Sequence, residues 1–280
     1  MLVAAFRGWN DGAQGASLAA SFLAQSWQAR RFADLDPEEF YDFQATRPHV
    51  VLEEGLTRKI NWPETAFYHA GVPGADRDGV LALGIEPNTR WRTYSDEIVD
   101  LARDLGVELV VTLGALLADV PHTRAAPVTG SATDPKLVEE LGLGSSRYEG
   151  PTGIVGVLHD ACRRAEIPSA SLWAAVPHYA SLAASPKAAL ALCERLAGLL
   201  GGEFELDDLE RASAAYERQV SEAVASDEET EAYVRDLEQR RDALGDELDV
   251  PSGETLAAEL TRFLREHEAR RKEENEDDSA

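Results

Sequence analysis

Two cysteines, one methionine and four lysines in 280 residues rule out several kinds of protein at once. Cys162 and Cys193 sit among alanines and leucines at helical spacing, which reads as two buried free thiols and not as a disulfide scaffold. No C-x-x-C or H-x-x-x-H spacing occurs, so the chain offers no close set of metal ligands and no metal is expected. Nowhere do about 18 apolar residues run together, the length a membrane helix needs. The first apolar run, Leu2 to Phe6, is too short for the core of a secretion signal and lacks a charged flank. Both absences make the cytoplasm the expected compartment.

Phosphate-binding signatures are missing as well. Gly8, Gly12 and Gly15 do not spell G-x-G-x-x-G, and no G-x-x-x-x-G-K-[ST] occurs. Asp11, near the expected start of a helix, would repel a phosphate drawn to the helix dipole. There is no G-x-S-x-G elbow, and Thr152 has no adjacent base. No cofactor is expected. Positive charge is scarce too, with 27 Lys and Arg against 51 Asp and Glu, a net of −24. Residues 203–280 hold 26 of those acids and 10 of the bases, two thirds of the excess. Such a surface repels nucleic acid and anionic membranes, so neither is an expected partner.

What the chain does contain is a regular alternation. Strand-like runs lie at Leu2–Phe6, Val50–Glu53, Arg58–Trp62, Ala66–His69, Val80–Ile85, Leu109–Leu113 and Ala170–Val176. Several are continuously apolar, as strands covered on both faces are. Between them, helical faces are marked by Ile98, Leu101, Ala102 and Leu105, and by Ile154, Leu158, Ala161, Cys162 and Ala165. A third helix opens on Ser185 as N-cap with Pro186 behind it. The pattern predicts a three-layer α/β/α fold on a mostly parallel or mixed sheet, with an antiparallel excursion between residues 50 and 69.

After Gly201-Gly202 the character changes. Leu209, Tyr216, Val220, Val234 and Leu237 mark an apolar stripe in an acidic helical stretch, interrupted at Asp227-Glu228-Glu229. Leu256, Leu260, Phe263 and Leu264 restart one beyond Pro251. The expected organisation is an α/β domain over 1–202, an acidic helical extension over 203–269 and a disordered tail over 270–280.

Five polar loops follow strand-like runs or lead into helices, and the carboxyl ends of strands form the ligand crevice of open α/β sheets. They bring Asn10, Asp11, Glu86, Asn88, Asp119, His122, Glu149 and His178 to one candidate cleft. The same residues suit plainer duties: Asn10 and Asp11 as helix caps, Asn88 in a turn, and the histidines as hydrogen-bonded structural groups. No catalytic assignment follows from these residue types alone.

The runs Gly8-Trp9-Asn10-Asp11, Gly84-Ile85-Glu86-Pro87-Asn88, Thr112-Leu113-Gly114-Ala115-Leu116, Asp119-Val120-Pro121-His122-Thr123-Arg124 and Gly150-Pro151-Thr152-Gly153-Ile154, in this order, resemble the proteasome assembly chaperone 2 family in its bacterial form. The resemblance spans roughly residues 2–200. It implies a phosphorylase/hydrolase-like three-layer fold and self-association, for which a trimer is the expected state. It also implies kinship with chaperones of the proteasome α-ring. Some of those dock through a C-terminal hydrophobic-Tyr-X motif, which Asp277-Asp278-Ser279-Ala280 does not spell, so that route is not expected here. The expected function is a non-catalytic assembly or interaction factor, acting on proteasome or other ring-complex subunits. The alternative is an enzyme or ligand-binding protein using the strand-end cleft.

Overall fold

The computed structural model describes residues 1–53, 57–140 and 149–244. The chain forms two compact units, residues 1–145 with 152–248 and residues 146–151 with 249–280, and every described strand and helix belongs to the first. In chain order these are β1 (Leu2–Arg7), α1 (Gly15–Ser26), β2 (Arg30–Leu35), α2 (Pro37–Phe40), β3 (His49–Glu53), β4 (Thr57–Asn61), β5 (Thr65–Gly71), β6 (Asp78–Ile85) and α3 (Trp91–Asp104). There follow β7 (Val110–Ala118), β8 (Val128–Ala132), α4 (Pro135–Glu140), α5 (Ile154–Arg164), β9 (Ser169–Pro177), α6 (Pro186–Leu200), α7 (Asp207–Val224) and α8 (Glu228–Leu244).

Seven strands make one mixed sheet in the order β2-β5-β6-β1-β7-β9-β8. Its centre, β6-β1-β7-β9, is parallel. On one side β5 runs antiparallel to β6 and β2 antiparallel to β5, and on the other β8 runs antiparallel to β9. Strands β3 and β4 stand apart as a two-stranded antiparallel hairpin.

The apolar runs follow from this placement. Along β1, Val3 and Ala5 face one core with α1 and α6, while Leu2, Ala4 and Phe6 face the other with α3 and α5. A central strand buried on both faces has no room for alternating polar residues. Each fully buried leucine or phenylalanine here stabilises the fold by about 1.5–3 kcal/mol. Ser185 caps α6 as its sequence predicts, its Oγ accepting the Ala188 N–H at 3.2 Å. No helix among the described residues is long and apolar enough to cross a membrane.

Several elements depart from expectation, the short helices α2 and α4 among them. Strand β7 runs to Ala118, five residues past the predicted end, because Gly114 lets Trp173 of β9 lie against it where a Cβ would sit 2.5 Å from the indole. Strands β2 and β8 were not anticipated: Arg30-Arg31 and Val-Thr-Gly-Ser-Ala carry weak strand signals, and sheet edges tolerate them. The acidic stretch is two helices. Asp227 begins the second, its carboxylate accepting from Glu229 N–H at 3.1 Å and from Thr230 Oγ1 at 2.6 Å. Leu209, Tyr216, Val224, Val234 and Leu237 on these helices are buried. The amphipathic pattern at 256–264 and the tail at 270–280 lie outside the described residues.

Candidate functional site

Because β6, β1, β7 and β9 are parallel, the loops leaving their carboxyl ends meet at one edge. The first of two clusters there is built on Glu86, just beyond β6. One carboxylate oxygen accepts from Asn10 Nδ2 at 2.7 Å and from the Ile154 N–H at 2.8 Å, and the other accepts from the Trp9 N–H at 3.3 Å. Ile154 opens α5, so the negative charge sits where a helix N-terminus favours it. The loop after β1 reaches Glu86 because Gly8 adopts φ +142°, which a side chain would strain. Gly153 closes the cluster from the other side. A Cβ there would lie 2.4 Å from both polar atoms of Asn10 and 2.6 Å from Glu86 Oε1.

Asp11 turns away from this group. Its Oδ1 accepts the Ala16 and Ser17 N–H groups at 2.8 and 3.1 Å, at the start of α1, while burial holds its carboxyl above the ordinary carboxylate range. Asn10 Oδ1 and Asp11 Oδ2 are buried and accept no hydrogen bond. Asn88 is also elsewhere: its side-chain oxygen accepts from the Asp42 N–H and from Thr46 Oγ1, both at 3.0 Å, fixing the turn after α2. Glu149 belongs to the second compact unit and is exposed.

The second cluster joins the ends of β7 and β9 to the acidic helices. His178 Nδ1 lies 3.3 Å from Asp119 Oδ1, and the same carboxylate oxygen accepts the Tyr233 hydroxyl of α8 at 3.0 Å. Tyr179, between His178 and His122, packs edge-on against both rings and against Tyr233. Its hydroxyl accepts the His122 backbone N–H at 2.8 Å and lies 2.9 Å from His122 Nδ1. His122 Nε2 lies in hydrogen-bond contact with Ser221 Oγ of α7 at 3.0 Å. Lys187 of α6 donates to His122 O and to Glu217 of α7. Arg124 pairs with Asp242 of α8 at 2.9 Å through both Nε and Nη2.

Electrostatics agrees with a neutral His122. Burial, reinforced by the Lys187 charge, lowers its pKa from the ordinary histidine value. Tyr179 and Tyr233 are each pushed up to about 12, chiefly by burial, and remain protonated donors. A histidine with a depressed folded pKa contributes stability above its unfolded pKa, near 6.5, and loses it as pH falls through the window below. The contribution of His122 is therefore expected to fall away as pH drops below about 6.5. Denaturant titrations should find that His122→Gln reduces this loss of stability, since His159, lowered by burial in the same direction, remains.

The structure thus brings Asn10 and Glu86 together, and Asp119, His122 and His178 together, while Asp11 and Asn88 serve their own turns. Tyr179, Lys187, Glu217, Ser221 and Tyr233 complete the second cluster and were not among the sequence candidates. For Glu217, Ser221 and Tyr233 the only local signal is polarity beside the buried stripe of α7 and α8, while Tyr179 follows β9 and Lys187 lies in the first turn of α6. Among the described residues no three His, Cys, Asp or Glu side chains gather as metal ligands.

The model of the PAC2 family matches residues 5–224. A PAC2 family protein from Streptomyces avermitilis is 46% identical, with a TM-score of 0.76, over 83% of this chain and 98% of its own. A proteasome-assembly chaperone homologue from Mycobacterium tuberculosis is 47% identical, with a TM-score of 0.77, over 83% and 99%. The fold is shared with an archaeal proteasome activator of Pyrococcus furiosus, 18% identical with a TM-score of 0.65 over 79% and 92%. Among curated proteins none matches. The matched residues run from the first strand through the last residue of α7, and the chain is a member of the PAC2 family.

Proposed function

We propose that this chain is a cytoplasmic protein-interaction factor of the assembly-chaperone kind, working as a homo-oligomer, a trimer being our choice, on subunits of a ring complex. It catalyses nothing at the strand ends. One observation carries this reading: the Glu86, Asp119 and His122 side chains at that edge are held by the chain's own loops and helices. Glu86 accepts three hydrogen bonds from Asn10, Trp9 and Ile154, and Asp119 and His122 are engaged by Tyr233 and Ser221. A general acid or base needs an open position facing the substrate. The likeness to the Mycobacterium tuberculosis homologue supports the ring-complex partner. Affinity purification of the tagged full chain from its native cytoplasm is expected to recover a ring subunit in stoichiometric amount, and recovery of the chain by itself would overturn the proposal.

A second reading has a specific observation behind it. Asn10 Oδ1 and Asp11 Oδ2, buried without a donor, are the acceptors a small polar ligand would satisfy. The missing phosphate-binding signatures argue against a nucleotide in that role. Calorimetric titration with Mg-ATP is expected to give no saturable heat, and phosphate release should stay at background. Saturable heat would favour the ligand-binding reading.

A further inference from the structure

We infer that the apolar face of the β3–β4 hairpin is a docking surface for a second copy of this chain, an inference that rests on the homo-oligomer proposed above. The register pairs Val50 with Ile60 and Leu52 with Arg58. Directly opposed residues share a face, and so do residues two apart along a strand. Val50, Leu52, Arg58 and Ile60 therefore form one face, which Trp62 extends just past the strand. The other face carries His49, Val51, Thr57, Lys59 and Asn61.

The first face is built as a buried strand face is, yet it is open. Val50 is 60% exposed, Leu52 64%, Ile60 50% and Trp62 48%. Of eight large hydrophobic residues exposed among the described residues, five fall between positions 50 and 62. Trp62 has one aromatic neighbour, Phe43, with ring centroids 4.9 Å apart. A two-stranded ribbon has no second layer of its own, and such ribbons are marginal in water without one. A concentrated apolar patch of this kind marks an interaction surface.

Charge selects the occupant. Two copies of a chain with net charge −24 repel each other unless the contact sets a positive patch against an acidic surface. The hairpin and its flank supply that patch. Over residues 47–62 Arg47, Arg58 and Lys59 stand against Glu53 and Glu54, and Arg58 is the charged residue of the apolar face itself. The acidic surface is equally at hand, for the first turns of α7 and α8 carry Asp207, Asp208, Glu210, Glu228, Glu229 and Glu231. Nucleic acid, a far denser polyanion, is repelled by the net charge of the chain.

The test uses sedimentation velocity and light scattering on the full chain from nanomolar to micromolar concentrations. Leu52→Asp with Ile60→Asp is expected to raise the dissociation constant of the oligomer about 100-fold, the effect of two lost apolar burials. Arg58→Glu alone should weaken association about tenfold at low salt and less at high salt. Phe32→Ser, at an exposed position on β2, is the control and should leave association unchanged. Unaltered thermal melts of all variants, whose substitutions sit on exposed positions, establish that the fold is kept. An oligomeric wild type whose hairpin variants associate equally well would overturn the hairpin proposal and leave self-association standing. A wild type that stays monomeric throughout would overturn both.

Discussion

Truncation after Gly202 is expected to abolish the cooperative thermal transition of the domain. The lost segment contributes Leu209, Tyr216, Val224, Val234 and Leu237, all buried. At about 1.5–3 kcal/mol for each side chain, their burial is of the order of the whole stability of a domain. Polar fastenings go with them. Ser221 leaves His122, Glu217 leaves Lys187, and Tyr233 leaves Asp119. The truncated chain should bind a hydrophobic dye strongly and melt gradually by circular dichroism. A sharp transition within a few degrees of the full chain, without dye binding, would reduce the acidic helices to an ornament on a self-sufficient domain.

The second large effect belongs to the Glu86 cluster. Glu86→Ala removes the acceptor for three donors, two of them backbone N–H groups and the third on buried Asn10. Hydrogen bonds to a charged group are worth about 1.5–3 kcal/mol each, and partial exposure brings the expected loss to about 3–4 kcal/mol. That corresponds to roughly 10 °C in melting temperature for a protein of this size. Gly153→Ala attacks the same point sterically and should cost about 2–3 kcal/mol, because Asn10 and Glu86 must both move. The double variant should lose less than the two singles together, since either change frees the other. Additive losses in urea titrations would show that Gly153 and Glu86 stabilise different things.

How much of this could be read in the sequence depends on the range of the interactions. Continuous apolar runs betray β1, β6, β7 and β9 because burial on both faces leaves a local record. Ser185-Pro186 betrays the start of α6 because a cap is local chemistry. Strand direction then gathers the loops at one edge, which is why Asn10 lands beside Glu86, and Asp119 beside His178. The rest has no local record. Nothing near Asp119 announces Tyr233, 114 positions later, and nothing near His122 announces Ser221, 99 positions on. The β3–β4 segment is legible as an antiparallel excursion, but its separation from the main sheet is decided by what else competes for the sheet edge. There β5 pairs with β6, and β2 with β5.

The central position of β1 governs how the protein is made. Strand β1 leaves the ribosome well before its two neighbours: Leu2 pairs with Val80 and Val110. At about 5–20 residues per second, the nascent chain holds a bare Leu-Val-Ala-Ala-Phe segment for roughly 4–16 s before either neighbour exists. Such a segment, β-prone and uncharged, is what edge-to-edge aggregation recruits. For this member of the PAC2 family, the hazard of premature association begins with its own synthesis.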